Sequence, residues 1–174
     1  MRNSVQNKPS PRSPLYSPAE RIRRDTTPWT MVQGVLAPIQ FFVFIGSAIL
    51  VTRYLFTGEG LTIATVSVVC KTCLLYLIMV TGCIWEKEVF GVYLFARSFY
   101  WEDMVSMLVL ALHTIYLVSL IFELMLPRAQ MWLALAAYST YIINATQFIL
   151  KLRRARLQRS AQTNGGGSAD GVAA

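Results

Sequence analysis

The stretch MVSMLVLALHTIYLVSLIFELML, residues 104–126, is apolar for long enough to cross a lipid bilayer as one helix. At about 1.5 Å per residue, about 20 helical residues span a hydrocarbon core about 30 Å thick. Only Pro127 and Arg128 separate this stretch from another apolar run, residues 129–150. A connection this short predicts that the two runs form an antiparallel pair of transmembrane helices.

Two further apolar runs, residues 31–56 and 61–85, precede this pair and are also joined by only a few residues. Apolar residues make up 55% of the chain and charged residues only 14%, a balance that excludes an ordinary soluble domain. The sequence therefore predicts an all-α integral membrane bundle of four transmembrane helices in a domain of residues 29–159. A tail of residues 1–28 precedes this domain, and a tail of residues 160–174 follows it.

The basic residues lie mainly in the two tails. Eleven of the 16 Lys and Arg residues come before Trp29 or after Leu150, so the net charge of +7 indicates contact with the bilayer surface rather than with nucleic acid. Two more lie in the long connection of residues 86–103, whereas each short turn has one, Arg53 or Arg128. Because basic residues accumulate on the cytoplasmic side, both termini are expected to be cytoplasmic.

The tails carry recognisable local signals. Ser17-Pro18-Ala19-Glu20 matches a capping box with proline at the first helical position, which predicts a short amphipathic helix through Arg24 on the membrane surface. Thr27-Pro28-Trp29 then predicts the capped start of the first transmembrane helix. The Gly-rich and polar residues 160–174 are expected to be disordered.

The connection WEKEVFGVYLFARSFYWED, residues 85–103, is the most informative segment. Seven of its first 17 residues are aromatic, and four carboxylates bracket it. An aromatic belt at the level of the lipid headgroups would account for Trp85, Tyr100 and Trp101. It would not account for the acidic residues, although Glu102 and Asp103 would also be favourable at the N-terminus of the following helix.

Polar side chains within the spans are costly in hydrocarbon, and each is therefore a candidate functional residue. Their spacing places several of them on shared helix faces: Glu102, Ser106 and His113, together with the apolar Val109; Gln33 and Gln40; Asn144 and Gln147. The bland alternatives are hydrogen bonds between helices for the amides and a packing role for His113. Lys71, deep in the second span, is expected to pair with Glu123 or with a carbonyl.

Cys70, Cys73 and Cys83 lie in one apolar run and indicate no disulfide framework. Cys70-Lys71-Thr72-Cys73 invites comparison with the four-helix, quinone-linked disulfide oxidases. That comparison fails because a redox pair needs exposed thiolates near a helix start, and these thiols lie deep in a span.

Several elements of the sequence together resemble one family. They are W-E-K-x-V-F-G from Trp85, F-x-W-E-D from Phe99, the run WTMVQGVLAP at residues 29–38, and Lys71-Thr72 before LYLIMVTG at residues 75–82. With these elements, residues 15–157 closely resemble the 3-vinyl bacteriochlorophyllide hydratases of bacteriochlorophyll synthesis. The chain departs from the family pattern at Arg97 and Tyr100, where proline and phenylalanine are common, which bears on substrate preference rather than on the reaction.

The resemblance implies an enzyme, a hydro-lyase that adds water to the 3-vinyl group of chlorophyllide a or a bacteriochlorophyllide and gives a 1-hydroxyethyl group. It implies no redox cofactor and no metal site in the protein, since magnesium is carried by the substrate. The implied location is the bacterial cytoplasmic or intracytoplasmic photosynthetic membrane. Other pigment-synthesis enzymes are candidate partners.

Such a reaction needs an acid, a base and a flat apolar slot. Glu102 or Glu86 is the candidate acid, with His113 or Asp103 as the base or the group that orients water; His113 could instead ligate the magnesium of the substrate. Gln33 and Asn144 are candidates to hold water or a ring carbonyl, and Arg97 or Lys87 to meet a propionate. The full set of candidate substrate-binding residues is Gln33, Lys71, Lys87, Trp85, Phe90, Arg97, Tyr100, Trp101 and Asn144.

Two other classes of function are compatible with these residues. One is a noncatalytic pigment-binding or assembly subunit of a photosynthetic complex, with His113 holding the chlorin. The other is a small proton or solute pathway through Lys71, His113 and Glu123, which the one-sided distribution of the polar residues disfavours.

Overall fold

The computed structural model describes residues 15–166, which form five helices and no strand. In chain order the helices are α1 Pro18–Thr26, α2 Pro28–Thr57, α3 Leu61–Phe90, α4 Tyr100–Ile121 and α5 Pro127–Gly166. Four of them, α2 to α5, are long and apolar enough to cross a membrane. The predicted all-α bundle of four transmembrane helices is therefore confirmed.

The helices extend further than the apolar runs that identified them. α3 has 30 residues. At about 1.5 Å per residue, a helix of that length reaches about 45 Å, well beyond a hydrocarbon core of about 30 Å. α5 continues to Gly166, so it enters the segment predicted to be disordered. Residues 167–174, the rest of that segment, lie outside the described residues.

The start of the described chain follows its capping signals closely. The Glu20 amide donates to Ser17 Oγ at 3.3 Å, and the Ser17 amide donates to Glu20 Oε2 at 2.7 Å, which completes the predicted capping box of α1. Thr27 caps α2 as predicted, because its Oγ1 accepts from the Trp29 amide. α1 packs on the end of α3, and Ser98 Oγ donates to the Leu15 carbonyl at 2.9 Å.

The bundle consists of two helical hairpins, α2 with α3 and α4 with α5. The first hairpin turns through Gly58 and Gly60, whose φ angles of 76° and 83° are readily adopted only by glycine. The hairpins pack together through a core that includes Val51, Val68 and Tyr116, all fully buried. Ser47 joins them by a hydrogen bond to Tyr138 Oη at 2.6 Å, and it also bonds to Ser67 Oγ of its own hairpin at 2.7 Å.

Lys71 lies at the centre of the bundle and is completely buried. Its ammonium is 3.8 Å from the centre of the Tyr141 ring. With the Gln40 amide turned to satisfy both of its polar atoms, the Gln40 carbonyl accepts from Lys71 Nζ at 3.2 Å and its NH₂ donates to the Leu74 carbonyl. Of the two partners predicted for Lys71, the carbonyl is present, and the pairing with Glu123 is wrong because Glu123 follows α4 in the distant turn.

Candidate active site

The connection between α3 and α4 folds back across one end of the bundle, called here the acidic end. α3 stops at Gly91, whose φ is 83°, and Phe95 adopts a φ of 62°, which is unusual for a residue with a side chain. Two successive loop amides then point at carboxyl groups. The Phe95 amide donates to Asp103 Oδ2 at 2.8 Å, and the Ala96 amide donates to Glu86 Oε1 at 3.0 Å. The acidic residues at the two helix ends thus hold the loop in place.

Glu86 and Asp103 form a buried carboxyl pair. Their exposed fractions are only 4% and 7%, and their carboxyl groups lie within hydrogen-bonding reach of each other. Removal from water and mutual repulsion both oppose two negative charges here. A shared proton removes one of these charges and provides the donor that two facing carboxyl groups need. The pair is therefore suited to act as an acid.

Glu102 lies beside this pair in a different environment. Its Oε2 is 2.5 Å from Lys151 Nζ, so the two side chains form an ion pair between α4 and α5. The same ammonium is 4.8 Å from the centre of the Phe99 ring. Of the two candidate acids from the sequence, the geometry favours Glu86, because it faces a second carboxyl group, whereas Glu102 pairs with an ammonium.

α4 and α5 face each other through a series of polar contacts below this ion pair. Asn144 Nδ2 donates to Ser106 Oγ at 2.8 Å. Asn144 Oδ1 and Gln147 Oε1 are buried, and neither has a hydrogen-bond partner among the described residues. Buried carbonyl oxygens of this kind are strong candidates to accept hydrogen bonds from a substrate water molecule.

His113 is buried on the same face of α4 but belongs to a different part of the bundle. Ten residues separate it from Asp103 in α4. This spacing corresponds to about 15 Å along the helix. Its Nδ1 lies 2.8 Å from the Val109 carbonyl, and its Nε2 is buried without a partner among the described residues. Its ring is 5.9 Å from that of Tyr138, between centroids.

Most aromatic residues of the connection fall into two sets. In the first set, Trp85, Phe90 and Phe99 form a cluster of stacked and edge-on rings with Tyr16 and Phe148; Tyr16 and Phe99 are buried, and the other three rings are partly buried. An exposed set, Phe95, Tyr100 and Trp101, forms a continuous surface in which neighbouring ring centroids are 5.7 Å apart. The predicted Trp85 and Phe90 therefore support the site, whereas Tyr100 and Trp101 are free to contact a ligand.

The remaining candidates lie in separate places. Lys87 donates to the Gly91 carbonyl at 2.9 Å and so caps α3. Arg97 is exposed and lines a cavity of about 300 Å³ together with Phe90, Phe95 and Ala96. Gln33 donates to Thr81 Oγ1 at 2.7 Å and connects α2 to α3. Lys87 is occupied by the Gly91 carbonyl, so Arg97 is the predicted basic residue best placed to bind an anion.

The sequence predicts no role in the site for Lys151, and it places Gln147 only on the helix face of Asn144. Asn144, Gln147 and Lys151 follow one another at steps of three and four residues along α5. This spacing places them on one helix face, and it is the sequence pattern that could identify Lys151 and Gln147 as site residues. Lys151 also fits the pattern of basic residues that flank a membrane, and this pattern hides its place in the site.

A larger cavity, of about 530 Å³, opens at the opposite end of the bundle. Its lining includes Thr65, Ser119, Glu123 and Gln130. It shares no residue with the acidic end. The acid and base groups therefore do not line this cavity.

The fold and the acidic end together define a class of protein: a small polytopic membrane protein with a cluster of buried carboxyl groups at one end of its helical bundle. Residues 16–154 match the model of the 2-vinyl bacteriochlorophyllide hydratase family, and the chain belongs to that family. The resemblance seen in the sequence is thereby confirmed.

Two curated relatives carry the same family name. A 2-vinyl bacteriochlorophyllide hydratase of Rhodobacter capsulatus is 59% identical over 165 residues, which cover 95% of each chain. A 2-vinyl bacteriochlorophyllide hydratase of Cereibacter sphaeroides is 58% identical over 152 residues, covering 87% of this chain and 94% of the relative. No solved structure matches the chain.

Proposed function

We propose that this chain hydrates the vinyl group of chlorophyllide a or a bacteriochlorophyllide to a 1-hydroxyethyl group in bacteriochlorophyll biosynthesis. Its membership of the hydratase family supports the reaction, and the buried Glu86 and Asp103 pair is the structural observation that carries it. The family name gives the vinyl group the number 2. The tetrapyrrole numbering used in the sequence analysis gives the same vinyl group the number 3.

The reaction adds one proton and one hydroxide. Protonation of the terminal vinyl carbon gives a cation next to the macrocycle, which delocalises the charge; water then adds to the inner carbon and loses a proton to a base. No electron is gained or lost overall, so the chemistry calls for no redox cofactor. Magnesium enters as part of the substrate.

The environments of the carboxyl groups suggest how they divide these tasks. Glu86, protonated within its pair with Asp103, is the proposed proton donor. Glu102, which lies outside this pair, is the proposed acceptor of the proton from water. Two nearby carboxyl groups in different environments are typical of sites where one group acts as an acid and the other as a base. The buried oxygens of Asn144 and Gln147 would hold the water.

The exposed aromatic surface of Phe95, Tyr100 and Trp101 is the proposed contact for the macrocycle. Aromatic rings at this level favour a flat apolar ligand that is partly immersed in lipid. The adjoining cavity of about 300 Å³ is small for a ligand site, so it would take one edge of the macrocycle. Arg97 on its lining would meet a propionate.

Membranes that contain the chain test this proposal directly. Incubated with chlorophyllide a and no added cofactor, they should form a product heavier by one water, with its red absorption band at shorter wavelength because a conjugated vinyl group is lost. Membranes without the chain are the control. Pigment that copurifies at fixed stoichiometry without turnover would instead favour the noncatalytic pigment-binding subunit, with His113 Nε2 as the candidate ligand.

The proposed location is the bacterial cytoplasmic or intracytoplasmic photosynthetic membrane, with both termini and the acidic end facing the cytoplasm. The excess of Lys and Arg in the tails supports this orientation. Alkaline phosphatase, which folds only outside the cytoplasm, should be active when fused within the Gly58–Gly60 turn. It should be inactive when fused after Leu157, and the reverse pattern would overturn the orientation.

A further inference from the structure

Lys151 of α5 occupies a position that the proposed reaction does not yet use. Its ammonium lies 2.5 Å from Glu102 Oε2, and the side chains of the pair are only 23% and 11% exposed. An ion pair sheltered to this degree is screened by water and salt far less than one on an open surface. Among the side chains that the structure describes, it is the one ion pair that joins two helices.

The charges around this ammonium are unbalanced. Glu86 and Cys83 face the acidic end from α3, Glu102 and Asp103 from α4, and Lys151 from α5. One cation therefore serves three carboxyl groups. It contacts Glu102 and leaves the other two carboxyl groups to each other, with loop amides as their remaining partners.

We infer that Lys151 is a positioning residue for the hydration, whose ammonium holds the Glu102 carboxyl group in place as the proton acceptor and leaves the Glu86 and Asp103 pair as the proton donor. This inference rests on the proposed function. It extends that function by naming the residue that assigns the acid and base roles among three adjacent carboxyl groups.

A purely structural role is the competing explanation. The contact of Lys151 with Phe99 would let it tether α5 to the connection without affecting any proton. A tether would change stability and the amount of folded protein. It would not change the pH range in which the folded enzyme works, so that range separates the two explanations.

The test is the pH profile of turnover in Lys151→Met. Without the nearby cation, the charged form of the Glu86 and Asp103 pair is less stabilised, so its protonated form becomes relatively more favourable. The Glu86 and Asp103 pair then keeps its proton to higher pH, and the upper pH limit of activity should rise by on the order of one unit. Maximal kcat should also fall, because Glu102 is no longer held in place by the ion pair, while KM changes little. Lys151→Arg should restore the wild-type profile.

Arg153→Met is the matched control, because it removes a neighbouring, exposed cation from the same helix and should leave the profile unchanged. An unchanged profile in folded Lys151→Met would overturn the inference and favour the tether. Absence of turnover in the wild-type protein would count against the proposed function instead.

Infrared spectroscopy gives a second measurement that needs no turnover. The folded wild-type protein at neutral pH should show the C=O band of a protonated carboxyl group that disappears in Glu86→Gln and persists in Glu102→Gln. Lys151→Gln, a polar replacement of similar reach, should increase that band. Loss of the band in Glu102→Gln would place the proton on Glu102 and contradict the inference, even if Lys151→Met does not fold.

Discussion

Glu86→Gln should lower the turnover of vinyl hydration by at least about a hundredfold, the lower end of the effect of a general acid. The glutamine carbonyl can still accept from the Ala96 amide, so the loop should keep its path. What is lost is the transferable proton. Product formation per mole of folded protein, followed by the absorption shift and by mass, measures the effect.

Glu59→Gln provides the matched control, since it makes the same change at an exposed position in the opposite turn. It should leave turnover unchanged. Glu86→Gln with full activity and normal thermal stability would exclude Glu86 as the proton donor. The role would then pass to Asp103 or Glu102.

Gln40→Leu should lower the free energy of unfolding by about 2–3 kcal/mol, because it removes the hydrogen-bond acceptor of a buried ammonium. Adding Lys71→Met should recover most of this loss, since the double variant no longer buries the charge. Thermal unfolding in detergent, calibrated by denaturant titration, measures both changes.

Gln33→Leu is the comparison for this pair of variants. Gln33 also connects α2 to α3, but it donates to a neutral hydroxyl, so its loss should cost less than about 1 kcal/mol. Equal destabilisation by Gln33→Leu and Gln40→Leu would indicate that the charge of Lys71 has no special cost. Failure of Lys71→Met to recover stability would indicate the same.

The sequence predicted the helices and their caps because these depend on local patterns. Ser17 and Glu20 are three residues apart, and this spacing alone specifies the capping box. The length of the apolar runs similarly determines how many spans are possible. The periodicity of α4 placed Glu102, Ser106 and His113 on one face, and all are buried there.

Local sequence patterns could not predict which carboxyl groups pair with each other and which one pairs with Lys151. Glu86 and Asp103 meet because the loop reverses direction at Phe95, which has a positive φ. No sequence pattern predicts this reversal. Lys151 reaches Glu102 across 49 residues of sequence, and only the relative position of α4 and α5 brings them together. The same dependence on packing explains why His113 shares a face with Glu102 and still lies far from the acidic end.

The contacts of Lys71 also bear on how the protein is made. Gln40 and Lys71 belong to the first hairpin, whereas Tyr141, whose ring covers the ammonium, belongs to the last helix to leave the ribosome. During biogenesis the nascent first hairpin therefore enters the lipid with a charge that is only partly covered. We expect it to stay beside the translocation machinery until α5 arrives, so that maturation of the first half of the chain waits for synthesis of the second.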